Sequence, residues 1–216
     1  MHESATTNEK FLRTLSSGLH GLAQPLSIIH GYLEISLQDG ASIEQYRELT
    51  KKLLQQSRRA AGIAKFVSQL TRYQLPAPDV QDILLTSVLE QEIEDRIRVF
   101  ETAQVQLDFR HPKHELLVRI SPIRLRQVIG YILDVIRMVS APGDMVRIEV
   151  RSDKESVSLH VQRQPSIGYS PRTLPGNDDN AGSHALTLAD AIVSNAGGSF
   201  SSSLEPLSIR ADFPVA

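Results

Sequence analysis

Apolar residues recur at spacings of three and four from Leu12 through Leu15, Leu19, Leu22, Leu26 and Ile29 to Leu33. That is a heptad seam, and it predicts a helix over residues 7–37 packed in a bundle or coiled coil. Asp39 and Gly40 end it, glycine being suited to a left-handed C-cap. Ser42-Ile-Glu-Gln45 reads as a capping box opening a second helix. The seam of that helix is Tyr46, Leu49, Leu53, Gln56, Ala60, Ile63, Val67 and Leu70. Residues 7–73 are therefore expected to form an antiparallel hairpin with a short loop. A lone hairpin leaves much of both seams open. Pairing two hairpins into a four-helix bundle closes them, so a homodimer is expected.

Leu75-Pro-Ala-Pro78 reads as a stiff linker, because proline halts helix and holds the chain extended. Beyond it the periodicity becomes mixed. Ser87-Val-Leu-Glu90 reads as a capping box for a helix to Ala103. Val105–Phe109 and Glu115–Ile120 read as strands, and Pro122–Val139 as an amphipathic helix with proline in its first turn. Met145–Arg151 and Val157–Val161 alternate as strands around Ser152-Asp-Lys-Glu155. The stretch from Gln164 to Gly182, rich in Pro, Gly, Ser, Asn and Asp, is expected to be a mobile loop. A helix from His184 to Asn195, a stop at Gly197-Gly198, and strands near Ser199–Ser203 and Leu207–Phe213 complete the chain. The fold class is α+β: a hairpin unit over residues 1–75, then an α/β sandwich over residues 79–216.

The chain has 216 residues, enough for one large domain or two modest ones. A formal net charge of -2 gives no reason to expect a nucleic-acid partner. There is no cysteine, which excludes disulfides, thiol nucleophiles and cysteine zinc sites and suits a reducing cytoplasm. No run approaches the roughly 20 apolar residues of a membrane span. Met1–Lys10 carries no apolar signal core. A soluble cytoplasmic molecule without a membrane partner or a sensor segment is the expectation.

The chemistry-bearing stretch is Leu19-His-Gly-Leu-Ala-Gln-Pro-Leu26. With Leu19 and Leu22 in the seam, His20 sits one step off it, and about 100° per residue turns its ring toward solvent. Histidine side chains titrate near neutrality, so an exposed imidazole on a rigid helix is a workable phosphoryl acceptor. Pro25 removes one helical hydrogen bond nearby and bends the helix locally. Gln24, one turn from His20, lies on a similar face, where its amide would orient a water, contact a partner, or simply be solvated. His30 reads as a surface residue off that face. His111 and His114 are placed in a hairpin-like turn with no third metal ligand, and Arg58-Arg59 as a basic pair able to dock an acidic surface. No metal site is expected. The sequence has no serine in a nucleophile elbow and no Gly-Lys-Ser phosphate loop.

His-x-Leu-x-Gln-Pro-Leu, followed by Ile28-Ile-His-Gly-Tyr32, resembles the phosphoacceptor box of histidine kinases. Ile83-Leu-Leu-Thr-Ser-Val88 resembles the opening of that family's first ATPase-domain helix. Arg119-Ile-Ser-Pro-Ile-Arg-Leu-Arg-Gln-Val128 resembles the run into its asparagine box. Leu186-Thr-Leu-Ala-Asp-Ala-Ile-Val193 with Ala196-Gly-Gly-Ser-Phe200 resembles its last helix and Gly-Gly turn. The resemblance covers nearly the whole chain. It implies a dimerising hairpin with His20 as phosphoacceptor, then an ATPase-type sandwich, and a response-regulator receiver domain as partner.

The departures from the family pattern bear on the activity. The family's magnesium-binding asparagines fall here at Val135 and Tyr131, and Asp134 is rotated away by one residue of helix. Arg163 stands at the place of the adenine-binding aspartate, offering donors where an acceptor is needed, and Pro165 replaces a glycine. In Gly182-Ser-His-Ala-Leu-Thr-Leu188, matched to the family's phosphate loop, Ala185 and Thr187 replace glycines. Gly21 stands where an acidic residue usually assists proton removal from the imidazole. The resemblance therefore implies a phosphorelay protein without a nucleotide cofactor, in which His20 exchanges a phosphoryl group with a receiver aspartate. A divergent but active histidine kinase and a non-enzymatic pseudokinase interaction module are the alternatives.

Overall fold

The computed structural model describes residues 2–37, 42–112, 114–153, 155–166, 181–204 and 206–215, with side chains from residue 9 onward except that of residue 204. It divides into two units, Met1–Arg72 and Tyr73–Ala216.

The first unit is a hairpin of α1 (His2–Ser36) and α2 (Ile43–Gln74), whose last two residues belong to the second unit. The capping box forms. The Ser42 amide donates to Gln45 Oε1 at 2.6 Å, and the Gln45 amide donates to Ser42 Oγ at 3.3 Å. The Asp39-Gly40 stop lies outside the described residues. The antiparallel register shows in three contacts. The Tyr46 hydroxyl donates to the Ser36 carbonyl at 3.3 Å, Lys52 lies over the Tyr32 ring at 5.7 Å, and Gly18 faces Phe66 and Val67.

The single seam expected in α1 is two stripes. Leu15, Leu22 and Ile29 are half-buried on the side of Gly18 and buried Pro25 that faces α2. Leu12, Leu19, Leu26 and Leu33 remain 54, 52, 50 and 47 % exposed. Steps of three and four residues rotate about 60° and 40° from a full turn, so one neighbouring helix covers one set and leaves the other.

In the second unit the elements run β1 (Gln81–Leu84), α3 (Leu85–Thr102), β2 (Gln106–Arg110), β3 (Leu117–Ile120), α4 (Pro122–Val139), β4 (Met145–Ser152), β5 (Ser156–Gln164), α5 (Ala181–Asn195), β6 (Ser199–Leu204) and β7 (Leu207–Pro214). The main sheet has the order β2-β4-β5-β7-β6, and β1 pairs with β3 in a separate two-stranded sheet. β2 runs parallel to β4, and the other pairs are antiparallel. The strands alternate. Val146, Ile148, Val157, Leu159, Val161, Ile209 and Phe213 are buried beneath the helices, together with Leu125, Val128, Ile132, Leu133, Ile136, Ala189 and Ile192 from α4 and α5. The opposite sheet face carries Asp108, Arg147, Glu149, His160 and Arg210.

Several expectations for this unit change. The strand β1 was not expected, and α3 starts at Leu85 rather than at Ser87, with no side-chain cap at Leu84. The strand feeds directly into the helix, and the Leu85 amide donates to the Leu116 carbonyl at 3.0 Å, so the first turn needs no capping box. Nor do β2 and β3 form a hairpin, since they belong to different sheets. His111 therefore follows the end of β2 and lies 3.1 Å from a Glu90 carboxylate oxygen, not in a hairpin turn with His114. No described helix is long and apolar enough to cross a membrane.

Candidate functional site

α1 has three sides. One faces α2, one carries the exposed leucines, and the third is polar, bearing Glu9, Arg13, Ser16, Ser17, His20, Gln24 and Ser27, all exposed. Their spacings of three, four and seven bring them to one face. Arg13 donates to Glu9 at 2.6 Å. His20 shares a shallow, open depression with Glu9, Leu12, Arg13, Ser16 and Ser17. Gln24 lies one turn C-terminal to it. The helix is continuous through Pro25.

Close packing with α2 shapes this region. A Cβ at Gly18 would fall 2.8 Å from Val67 Cγ2, and one at Gly21 would be 3.9 Å from Ile63 Cδ1. Position 21 therefore borders the apolar hairpin at Ile63. His30 lies elsewhere, exposed and 3.2 Å from Glu34. Arg58 is exposed and Arg59 half-buried, so the basic pair is split between two faces.

A second polar cluster lies at the end of α4. Arg163, on the helix-facing side of β5, is 9 % exposed and donates to the Val139 carbonyl at 2.6 Å. Its guanidinium is 3.8 Å from Asp144, which is 1 % exposed. Asp144 accepts the Ala141 amide at 2.8 Å and the Ser166 amide at 3.0 Å. A cation at the last carbonyls of a helix opposes the negative end of its dipole. Within α4, Val135 is fully buried, the Tyr131 hydroxyl lies 2.9 Å from that of Tyr73, and Asp134 faces Arg96 at 3.8 Å. On α5, burial pushes the imidazole of His184 toward its neutral form. Among the described residues no group of His, Asp or Glu is placed to hold a metal ion.

No family model and no curated protein sequence matches the chain. Solved structures do match. A histidine kinase, ThkA, in complex with the response regulator TrrA aligns over 100 % of this chain and 66 % of its own, with TM-score 0.63 and 13 % identity. The Acinetobacter baumannii histidine kinase AdeS aligns over 91 % of this chain and 97 % of its own, with TM-score 0.57 and 17 % identity. A histidine kinase from Burkholderia phymatum aligns over 96 % and 97 %, with TM-score 0.52 and 15 % identity. The chain has the fold of a histidine kinase core.

Within the histidine kinase fold, the α4–β5 region is where the sequence resemblance places a magnesium nucleotide, and the residues present do not fit one. Val135 offers no oxygen and is sealed in the core, and the Tyr131 hydroxyl is engaged by Tyr73. Arg163, which the resemblance matches to the adenine-binding aspartate, turns its side chain inward and donates to the Val139 carbonyl at the end of α4. One expectation is corrected here. The helix expected from His184 opens at Ala181, so Gly182 and Ser183 belong to the first turn of α5 rather than to a loop, and Gly182 and Leu186 are buried. Helical amides beyond the first turn donate within the helix and are not available to phosphate. Arg13, Ser16 and Ser17 were not singled out from sequence, although the spacing of seven between Arg13 and His20 carried the signal. Asp144 was missed too, its sign being the Pro142-Gly143 turn, where Gly143 has φ +87°.

Proposed function

We propose that this chain is a two-component phosphorelay protein in which His20 exchanges a phosphoryl group with the aspartate of a response-regulator receiver domain, without ATP. The observations that support this reading are an exposed His20 on a mostly polar helix face and an inward-turned Arg163 at the position the resemblance assigns to the adenine-binding aspartate. The ThkA–TrrA complex supports a receiver as the partner, because that protein of the same fold engages a response regulator.

The unprotonated ring nitrogen of His20 attacks phosphorus in line with the receiver's acyl phosphate. The N–P bond forms, the P–O bond to the aspartate breaks, and the aspartate leaves as carboxylate. The phosphorylated ring then loses its remaining N–H proton to water. The activated donor supplies the driving force, so the helix needs only to align the ring and tolerate charge. The lack of an acid at Gly21 is consistent with a relay that never draws on ATP. The exposed leucine stripe supports pairing of two hairpins into a homodimeric four-helix bundle.

Incubation with a receiver carrying labelled aspartyl phosphate tests the reading. Acid-labile label is expected on the wild type and none on His20→Ala; equal labelling of the two ends the proposal. Micromolar ATP binding by calorimetry would favour an active divergent kinase instead. Receiver binding that is unaffected by His20→Ala, with no transfer, would favour a pseudokinase module.

A further inference from the structure

We propose that Arg13 is the phosphoryl-recognition residue of the His20 face, assisted by the hydroxyls of Ser16 and Ser17. This rests on His20 being the acceptor. Side chains on a helix lean toward its N-terminus, so a group bonded to the His20 ring projects over the preceding turns rather than toward Gln24. Those turns present Ser17 and Ser16 at three and four residues' distance and Arg13 at seven. All four residues line the same depression. Seven residues amount to about 10 Å along the axis, a gap for the long Arg13 stem and a phosphorylated imidazole to span once the guanidinium leaves Glu9.

The phosphoryl group carries its charge on three oxygens throughout the transfer, and little covalent help is needed beyond donors for them. A planar guanidinium with five N–H groups matches two such oxygens at once, which a lysine ammonium does only as a point charge. Arg13 is 80 % exposed at its side chain and held by Glu9 at 2.6 Å. The surface pair with Glu9 is weak enough to exchange for a phosphoryl group. Glu9 thus holds the guanidinium on the side away from His20 in the resting protein and competes with the phosphoryl group for it.

The test uses the full chain and two donors: phosphoramidate, which releases ammonia as its P–N bond breaks, and a receiver bearing labelled aspartyl phosphate. The Arg13→Gln rate is expected to fall about tenfold or more with both donors, as loss of a charged hydrogen bond implies. The fall should lie in the maximal rate more than in the half-saturating donor concentration, with partial rescue by Arg13→Lys and an unchanged circular dichroism spectrum. Glu9→Gln should leave the rate equal or faster. Wild-type labelling rates in Arg13→Gln, or an equal fall in Glu9→Gln, overturn the assignment to Arg13 while leaving His20 in place. Absence of label on the wild type from both donors overturns the His20 reading, and this inference with it.

Discussion

Replacing Arg163 with methionine separates a structural plug from an idle side chain. The substitution keeps length and removes charge. It breaks the 2.6 Å bond to the Val139 carbonyl and leaves Asp144 without its neighbouring cation. A hydrogen bond from a charged donor contributes about 1.5–3 kcal/mol. Removing one partner of a buried ion pair costs about 3–5 kcal/mol. Two features place this site at or below the low end of that range. The pair is long at 3.8 Å, and Asp144 keeps two backbone amides. A third works in the variant's favour, because Arg163 Nε is buried without a hydrogen-bond partner among the described residues and methionine removes that orphan. The bond to the helix end outweighs the orphan, and a net loss of about 3 kcal/mol is expected. For a unit of this size that lowers the melting temperature by roughly 10 °C. Urea unfolding followed by circular dichroism reads it. Asp144→Asn and the double variant complete a cycle, whose coupling should exceed about 0.5 kcal/mol. A loss under about 0.5 kcal/mol for Arg163→Met, ordinary for a surface site, would refute the plug.

Other outcomes follow from the same geometry. Gly18→Val places methyl groups where even a Cβ falls 2.8 Å from Val67, and is expected to destabilise the hairpin by about 1–3 kcal/mol in thermal melts. Gly198→Ala, whose Cβ would lie 2.0 Å from the Asp212 carbonyl oxygen, should cost about 3 kcal/mol or more and yield little folded protein, as a solubility assay would show. Burial opposes the charge of Asp212, but hydrogen bonds from Ser158, Arg210 and Ser199 outweigh it and hold its pKa below the ordinary carboxylate value. Its contribution is present above the unfolded pKa and lost as pH falls through the folded one. The stability advantage over Asp212→Asn should therefore shrink below about pH 4; an advantage as wide at pH 2 as at pH 7 would contradict this. Leu19→Asp with Leu26→Asp should convert the proposed dimer to a monomer in light scattering, since burying the exposed half of each leucine would otherwise contribute about 1 kcal/mol.

Much of the architecture could be read from periodicity. Pro122–Val139 has the predicted bounds because proline starts it and Ser140 ends it, and the Ser42–Gln45 cap is a local device visible in four residues. What could not be read depends on partners distant in sequence. The pairing of β3 with β1 rather than with β2 is decided across the sheet, and the start of α3 is set by the Leu116 carbonyl rather than by Ser87. Glycine at position 182 suggested a loop, yet its burial under helix packing made it the first turn of α5. For the site, the helical offset of His20 from the seam was legible. The inward turn of Arg163 was not, because alternation gives the side of the strand but not what the side chain meets there.

The spacing of the outer leucines has a mechanical consequence. Leu12, Leu19, Leu26 and Leu33 are separated by seven residues each time, while an undistorted helix needs slightly more than seven for two turns. The row therefore slews by about 20° per interval and about 60° from end to end. A straight rod laid along α1 would touch the row at one end and miss it at the other. Any helix that covers all four must wrap around α1 with a left-handed pitch, so the sense of winding is already written into the unpaired chain.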